Sequence, residues 1–539
     1  MLQLVQETNH IKIVYNNCTF FVHTPWKPAL KILAARNEKR YFIPIRHITA
    51  AQTDIRSITL TCAGLIEVVI QEKQDALLIT YPVLPADTEA VFVTCITNKN
   101  FYIIDIWKHK KFTVKRKFSR EIPGPYMYST GTFIASVQKG TIKIKKTAKH
   151  LTLKTPPEGF AVACDENFYQ SASTIHSLMC KHTANNLPPV GIYFLGGGGD
   201  IALSCKVQTL LDAHIPAQGV IFADLFPDSS LTQSAGLSRY PDLKGETYCY
   251  AQSGMIPGAL LPIDLELANK QTTIHYSQEI FKTLKNTGIA LLGLHSRSSM
   301  PYFSLKELAE YAMKNATQNN FPVSFSYAET LPIRHTYQLY YLTPSQTSIQ
   351  RITMLWRASY GAFSIITPTI KLAMNIWNDC SAFMMALEFA VFTPILVLDI
   401  DTTSERTIPF MTQLQGKILQ TMLELYTQLK PYHNFCLQNL ITHQAPVHYF
   451  PQYIKKQDYF TNTFMYGPDL LIGLRSTSHQ KQLMLKLPEG TWIHFWTGLQ
   501  YESGSVVINV PPGYPAIFYK PESKFADLFD SIRRTGKEI

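Results

Sequence analysis

Cysteine is scarce and shows no pairing pattern. Nine residues are scattered from Cys18 to Cys436, and no two stand in a C-x-x-C spacing. That excludes the usual structural zinc motifs, and the odd count argues against a closed disulfide framework, so free thiols in a reducing compartment are expected. Charge is also thin, at 17% of residues against 46% hydrophobic, which excludes a disordered chain. Long apolar runs are missing. The most hydrophobic stretch, Ala382 to Leu398, is interrupted by Glu388 and Pro394. A buried helix followed by a strand explains it better than a membrane span does. Met1 to His10 is polar and lacks the apolar core of a secretory signal. A cytoplasmic protein is expected, with no membrane partner, no metal and no cofactor.

What is present is basic. Fifty Lys and Arg against 39 Asp and Glu leave a net charge of +11. Nucleic acid would need that charge clustered. Two clusters exist, Lys108 to Lys117 and Lys139 to Lys149. Both fall in alternating segments such as Thr141-Ile142-Lys143-Ile144-Lys145, where lysine occupies the solvated face of a strand. No nucleic-acid partner is therefore expected.

The 539 residues are too many for one hydrophobic core. Residues 1–172 read as short alternating strands, among them His10 to Tyr15, Leu65 to Ile70 and Phe101 to Ile106, which predicts a β-sandwich. Over 173–447 apolar strands alternate with amphipathic helices. Strands are expected at Gly191 to Leu195, Gly219 to Ala223, Gly288 to Leu292, Val323 to Tyr327 and Ile395 to Leu398. Helices are expected at Ile201 to Ala213 and Ser304 to Ala316. The class is α/β, a (β/α)8 TIM-type barrel with chemistry at the C-terminal strand ends; a doubly wound sheet remains open on periodicity alone. Residues 448–539 return to strands, a small C-terminal β domain ending in a helix from about Lys524. The glycines at 196–199 follow a strand and precede a helix, as a phosphate loop would, but no Lys-Ser/Thr follows them.

Several segments in order resemble glycoside hydrolase family 31, the retaining α-glycosidases, most closely its sulfoquinovosidase-like branch. Leu187-Pro188-Pro189 with Gly191 to Leu195 is similar to the first barrel strand, and Gly219 to Asp224 to a strand ending in a substrate-facing Asp. Ser326-Tyr327-Ala328-Glu329-Thr330-Leu331-Pro332 resembles the nucleophile motif Asp-Phe-Gly-Glu-Tyr-Leu-Pro. Arg357-Ala358-Ser359, Asn375 to Cys380 and Leu398 to Asp401 resemble further site elements. Downstream, Leu429 to Tyr432, Phe464 to Ile472, Leu487 to Gly498 and Ala516 to Lys520 continue the likeness. It covers about 185 to 535. It implies an N-terminal β-sandwich of galactose-mutarotase type, then a barrel, then a C-terminal β domain.

The resemblance also implies roles. Asp379 takes the acid/base position, and Asp224, Arg357, Asp399 and Trp377 would bind substrate. Ser326 stands at the nucleophile position, where the family carries Asp. A retaining glycosidase needs one carboxylate to attack and another to protonate the leaving oxygen. A serine hydroxyl is a poor substitute without an adjacent base, for which His335 is the candidate in the following loop. Other departures gather at the same place. The substrate-binding Gln of the first-strand motif falls near Gly197. Thr402 to Gln420 lacks the family's Arg-x-His pair, and only Arg239 remains of the Arg/Trp signature between Ser229 and Tyr240. The expected function is an α-glycosidase homologue that binds an α-glycoside in the barrel mouth. The alternative is a catalytically inactive scaffold or partner-binding protein. A relocated carboxylate serving an inverting reaction is a third reading.

Overall fold

The computed structural model describes residues 188–225, 239–262, 284–295, 323–327, 337–356, 365–373, 379–400, 413–449 and 462–535, and the single positions 359, 376, 377 and 451. Before residue 188 it describes the β-strands and positions 56 and 174. The chain divides into two compact units, Met1–Lys181 with His443–Pro446, and His182–Thr442 with Val447–Ile539.

The first unit is built of antiparallel sheets. The largest has nine strands, from Lys110–Thr113 at one edge to Ile48–Asp54 at the other. A four-stranded sheet is bounded by Ala90–Thr94 and Phe118–Pro123. Ile58 and Ile70 stand opposite each other on neighbouring strands and are both buried. The alternating pattern of the sequence is thus matched by strands with one face turned inward.

The second unit opens with eight strands in a closed barrel: β1 Gly191–Gly196, β2 Gly219–Phe222, β3 Ile256–Pro262, β4 Leu291–His295, β5 Val323–Tyr327, β6 Tyr337–Tyr341, β7 Ile365–Lys371 and β8 Ile395–Asp399. Every neighbouring pair is parallel, and β1 pairs with β8 to close the ring. The barrel expectation holds, and the doubly wound sheet is excluded by that closure. Along β1 and β8 every residue is buried. Such continuous apolar runs are what a parallel strand covered on both faces requires.

Helices α1 Asp200–Asp212 and α2 Leu243–Gln252 follow β1 and β2. Next come α3 Ser348–Trp356 after β6 and α4 Cys380–Ala390 after β7. After β8 follow α5 Gln413–Gln428 and α6 Lys430–His443. The run Ala382 to Leu398 is divided as its composition suggests, into α4 and β8, with Glu388 buried in the helix. Strands β3, β6 and β7 were not legible in the sequence. Pro257, Gly258 and Pro262 in β3, and Pro368 in β7, are residues that ordinarily mark loops. The strand expected from Gly288 begins instead at Leu291. Gly288 has φ 85°, and its N–H donates to the Lys285 carbonyl, so it ends the preceding helical turn. The helix expected at Ser304 to Ala316 lies outside the described residues.

The chain then forms a six-stranded antiparallel sheet: β9 His448–Tyr449, β10 Thr463–Tyr466, β11 Leu470–Gly473, β12 Gln482–His494, β13 Gln500–Asn509 and β14 Ala516–Tyr519, ordered β9-β10-β11-β14-β12-β13. Helix α7, Ala526–Thr535, ends the described chain. The motif Leu487 to Trp492 is an irregularity in the β12–β13 register, with Gly490 at φ 108° and the Trp492 indole N–H on the Pro488 carbonyl at 3.1 Å.

The other downstream motifs bind α6 to this sheet. The Tyr432 hydroxyl donates to the Tyr466 carbonyl at 2.9 Å and accepts from the Asp469 N–H at 3.1 Å. Gly467, at φ 56°, fits because it has no side chain: a Cβ there would stand 2.6 Å from the Tyr432 hydroxyl oxygen. Gly467→Ala should therefore cost about 2 kcal/mol, from left-handed backbone strain plus the overlap. Chemical denaturation checks this, and a loss below a few tenths of a kcal/mol would contradict the packing described.

Candidate functional site

The C-terminal ends of parallel strands bring their last side chains to one face of a barrel, while the bottom of the barrel serves stability. Asp399 is the last residue of β8, Tyr341 the last of β6, Lys371 the last of β7, and Asp224 lies just past β2. Ser326 is the penultimate residue of β5, in register with Leu294 of β4 and Gln338 of β6. Of the sequence-expected positions, Asp224, Ser326 and Asp399 thus share one end of the barrel.

The glycine run after β1 is shaped around Asp224. A Cβ at Gly196 would stand 2.7 Å from Ile400 and 2.8 Å from Leu203, and one at Gly197 would overlap the Asp224 carboxylate. Gly198, at φ 98°, turns its N–H to Asp224 Oδ2 at 2.9 Å. Gly199, at φ 95°, precedes α1, and the exposed first turn of that helix is satisfied internally: the Asp200 N–H donates to the Arg239 carbonyl and the Ile201 N–H to Asp200 Oδ1. Close packing at Gly196, Gly197 and Gly199 and the positive φ of Gly198 account for all four glycines, so the phosphate-loop reading has no support from geometry.

Asp224 is buried, and a buried carboxylate is tolerated only when hydrogen-bonded or paired. It receives three donors. Beside Gly198, Tyr240 donates to Oδ1 at 2.6 Å and the Arg239 Nη1 donates to Oδ2 at 3.0 Å. Burial, and then the Asp224 charge, push the Tyr240 phenol far above its ordinary range, which keeps it a proton donor. Asp399 is buried as well and accepts from the Tyr341 hydroxyl at 2.7 Å. That bond spans β7, because β6 and β8 are its two neighbours. Tyr341 and Tyr240 were missed in the sequence. The aromatic ending of Tyr337–Tyr341 was the available signal, but it was masked because no strand was expected there.

Asp379 is exposed and is the N-cap of α4, its carboxylate accepting from the Ser381 N–H at 2.8 Å. A capping carboxylate at a helix N-terminus is stabilised by the orphan N–H groups and the helix dipole. Trp377 is buried. Its indole N–H donates to the Lys371 carbonyl at 2.8 Å, its ring packs on Phe383, and its own carbonyl accepts from Gln415. It ties the turn after β7 to α4 and α5, and so positions Asp379 from behind. Arg357, Glu329 and His335 lie outside the described residues. Among the described residues no group of three or more His, Cys, Asp or Glu could hold a metal ion. Among them also, no helix is long and apolar enough to cross a membrane.

Residues 442–525 match the glycosyl hydrolase family 31 C-terminal domain. A sulfoquinovosidase of Escherichia coli K12 is 32% identical over 36% of this chain and 33% of its own length. The C-terminal region of this chain is thus similar to that of glycosyl hydrolase family 31. The sequence match thus spans about a third of that curated relative. One from Agrobacterium fabrum is 33% identical over 14% of the chain and 11% of its own length. The fold likeness to the family is much more extensive. A family 31 sulfoquinovosidase from E. rectale superposes with a TM-score of 0.74 over 99% of both chains, at 13% identity. A family 31 α-xylosidase from a soil metagenome gives 0.64 over 98% of this chain and 100% of its own, at 10% identity. The family 31 C-terminal region coincides with β9 to β14, the sheet that Tyr432 and Gly467 join to α6. The family-model match therefore falls on the sheet that α6 anchors.

Proposed function

We propose that this chain binds an α-glycoside in the barrel mouth and does not hydrolyse it by double displacement. The observation that carries the reading is the pair of buried carboxylates, Asp224 and Asp399, at the ends of β2 and β8, opposite a β5 that carries serine at the nucleophile position. Buried carboxylates at a barrel mouth accept sugar hydroxyls well, since each is already desolvated and oriented. The relatives lend support: the E. rectale enzyme was seen with an aza-sugar inhibitor and the α-xylosidase with xylose. In this reading Asp379 retains the proton-donor position, and the buried Trp377 holds it from behind. Ser326, by the same reading, offers no carboxylate at the position where a retaining site needs a second one about 5 Å from the first.

A second reading, an inactive scaffold, is favoured by one observation: every oxygen of Asp224 already has an internal partner. Calorimetry with glucose, methyl α-glucoside and sulfoquinovose separates the two. Heat of binding with any of them supports the first reading, and silence across the panel supports the second. Ser326→Asp should raise turnover of p-nitrophenyl α-glucoside by on the order of 10²-fold or more, and the gain should vanish when Asp379→Asn is added. An inert Ser326→Asp variant that still binds the sugars would locate the loss of chemistry beyond the nucleophile.

A further inference from the structure

Asp224 has three donors that differ in their freedom to leave. The Gly198 N–H belongs to a loop with φ 98° that is fixed between β1 and α1. The Tyr240 hydroxyl belongs to a side chain 1% exposed, packed edge-on against Phe222 at 5.2 Å. The third donor is the Arg239 side chain, which is 50% exposed while the Asp224 side chain is 8% exposed. The guanidinium therefore lies across a buried carboxylate from the solvent side. Its release costs little desolvation, because half of it is already in water. Arg239 also has a structural duty, but through its backbone: its carbonyl accepts from the Asp200 N–H at the start of α1. The side chain is separable from that duty.

We infer that Arg239 is a specificity-determining residue that closes Asp224, so that a ligand engages this carboxylate only by displacing the guanidinium with its own hydroxyl donors. The inference rests on the carbohydrate reading of the same mouth. A hydroxyl pair of a neutral sugar replaces the one Nη1 bond, and Asp224 keeps Tyr240 and Gly198 as partners throughout. An anionic sugar gains nothing at Asp224, since its charge is drawn to Arg239 and repelled by the carboxylate behind it.

Two measurements on the full chain test this. The first is the rate at which a water-soluble carbodiimide and an amine label Asp224, followed by peptide mass spectrometry, in the wild type, Arg239→Ala and Arg239→Lys. The second is calorimetry of the same proteins with methyl α-glucoside. Arg239→Ala should label Asp224 at least fivefold faster and bind the glucoside roughly fivefold tighter, the worth of an ion pair with one half-exposed partner. Arg239→Lys should fall between. Equal labelling in wild type and Arg239→Ala overturns the closure, whatever the sugar does. Faster labelling with unchanged glucoside affinity also overturns it, because the ligand then does not use Asp224. Faster labelling with no glucoside binding by any of the proteins upholds the closure and removes the carbohydrate reading instead.

Discussion

Arg475→Met should lower the stability of the barrel and C-terminal sheet by about 3–5 kcal/mol, the usual result of stripping one partner from a buried ion pair. Arg475 and Glu388 are 0% and 1% exposed and meet through two bonds, Nη2 to Oε1 at 2.7 Å and Nε to Oε2 at 3.3 Å. Glu388 lies in α4 and Arg475 follows β11, so the pair clamps the barrel to the sheet within one unit. The Gly513 N–H adds a third bond to Glu388 at 2.8 Å, and the Arg475 carbonyl accepts from Ser348 at the start of α3. Burial pushes the Glu388 carboxyl up, and only Arg475, Gly513 and Arg351 oppose that. Without Arg475 the acid must either stay charged in an apolar site or take up a proton. The loss should therefore shrink as pH falls. Adding Glu388→Met should recover most of it, leaving the unpaired Gly513 N–H as the residual cost. Urea unfolding of the single and double variants decides the matter: a single variant within 1 kcal/mol of wild type would remove the clamp.

Acid should destabilise the same unit well above the range where carboxylates titrate. His433 is fully buried, bonded to the Tyr466 hydroxyl at 2.6 Å, and burial lowers its pKa to about 3. His448 is 1% exposed, bonded to the Phe392 carbonyl at 2.7 Å and stacked on Tyr466 at 5.2 Å, and burial lowers its pKa to about 4. Both are neutral in the fold and would charge near pH 6.5 when unfolded. A folded pKa below the unfolded one gives stability that is fully present above pH 6.5 and is lost as pH falls toward 4. At pH 5 the unfolded chain gains about 2 kcal/mol per histidine, so about 4 kcal/mol is lost between pH 7.5 and 5. Guanidinium unfolding of the wild type should show a steeper slope across that range than a His433→Gln, His448→Gln variant, by up to two protons. A flat profile from pH 6.5 to 5 would mean that the two imidazoles are not held neutral.

Segments in which the sequence resembles family 31, such as those holding Tyr432, Gly467, Trp492 and Gly498, have packing reasons visible residue by residue. Gly498, for example, at φ 72°, makes room for the Arg533 guanidinium of α7. Ser326 and Gly197 lie at the open end of the barrel, apart from these packing contacts.

Sequence alone determined the class and the order of parts. Apolar strands of period two, then strands alternating with helices, then strands again, were enough for an α/β middle region followed by a β domain, because burying one face leaves a periodic record in the residues; that the middle closes into a barrel was decided by the pairing of β1 with β8. Sequence also determined that serine stands at Ser326, which no folding can change. Strands β3, β6 and β7 were lost to it, since proline, glycine and tyrosine carry loop and strand signals at once, and only neighbouring strands settle which applies. Tertiary structure alone decided what the acidic residues do. Asp224 lies 15 residues before Arg239, and Asp399 lies 58 residues after Tyr341. Hydrogen bonds between such distant positions leave no periodicity, since they depend on how the strands close into a ring.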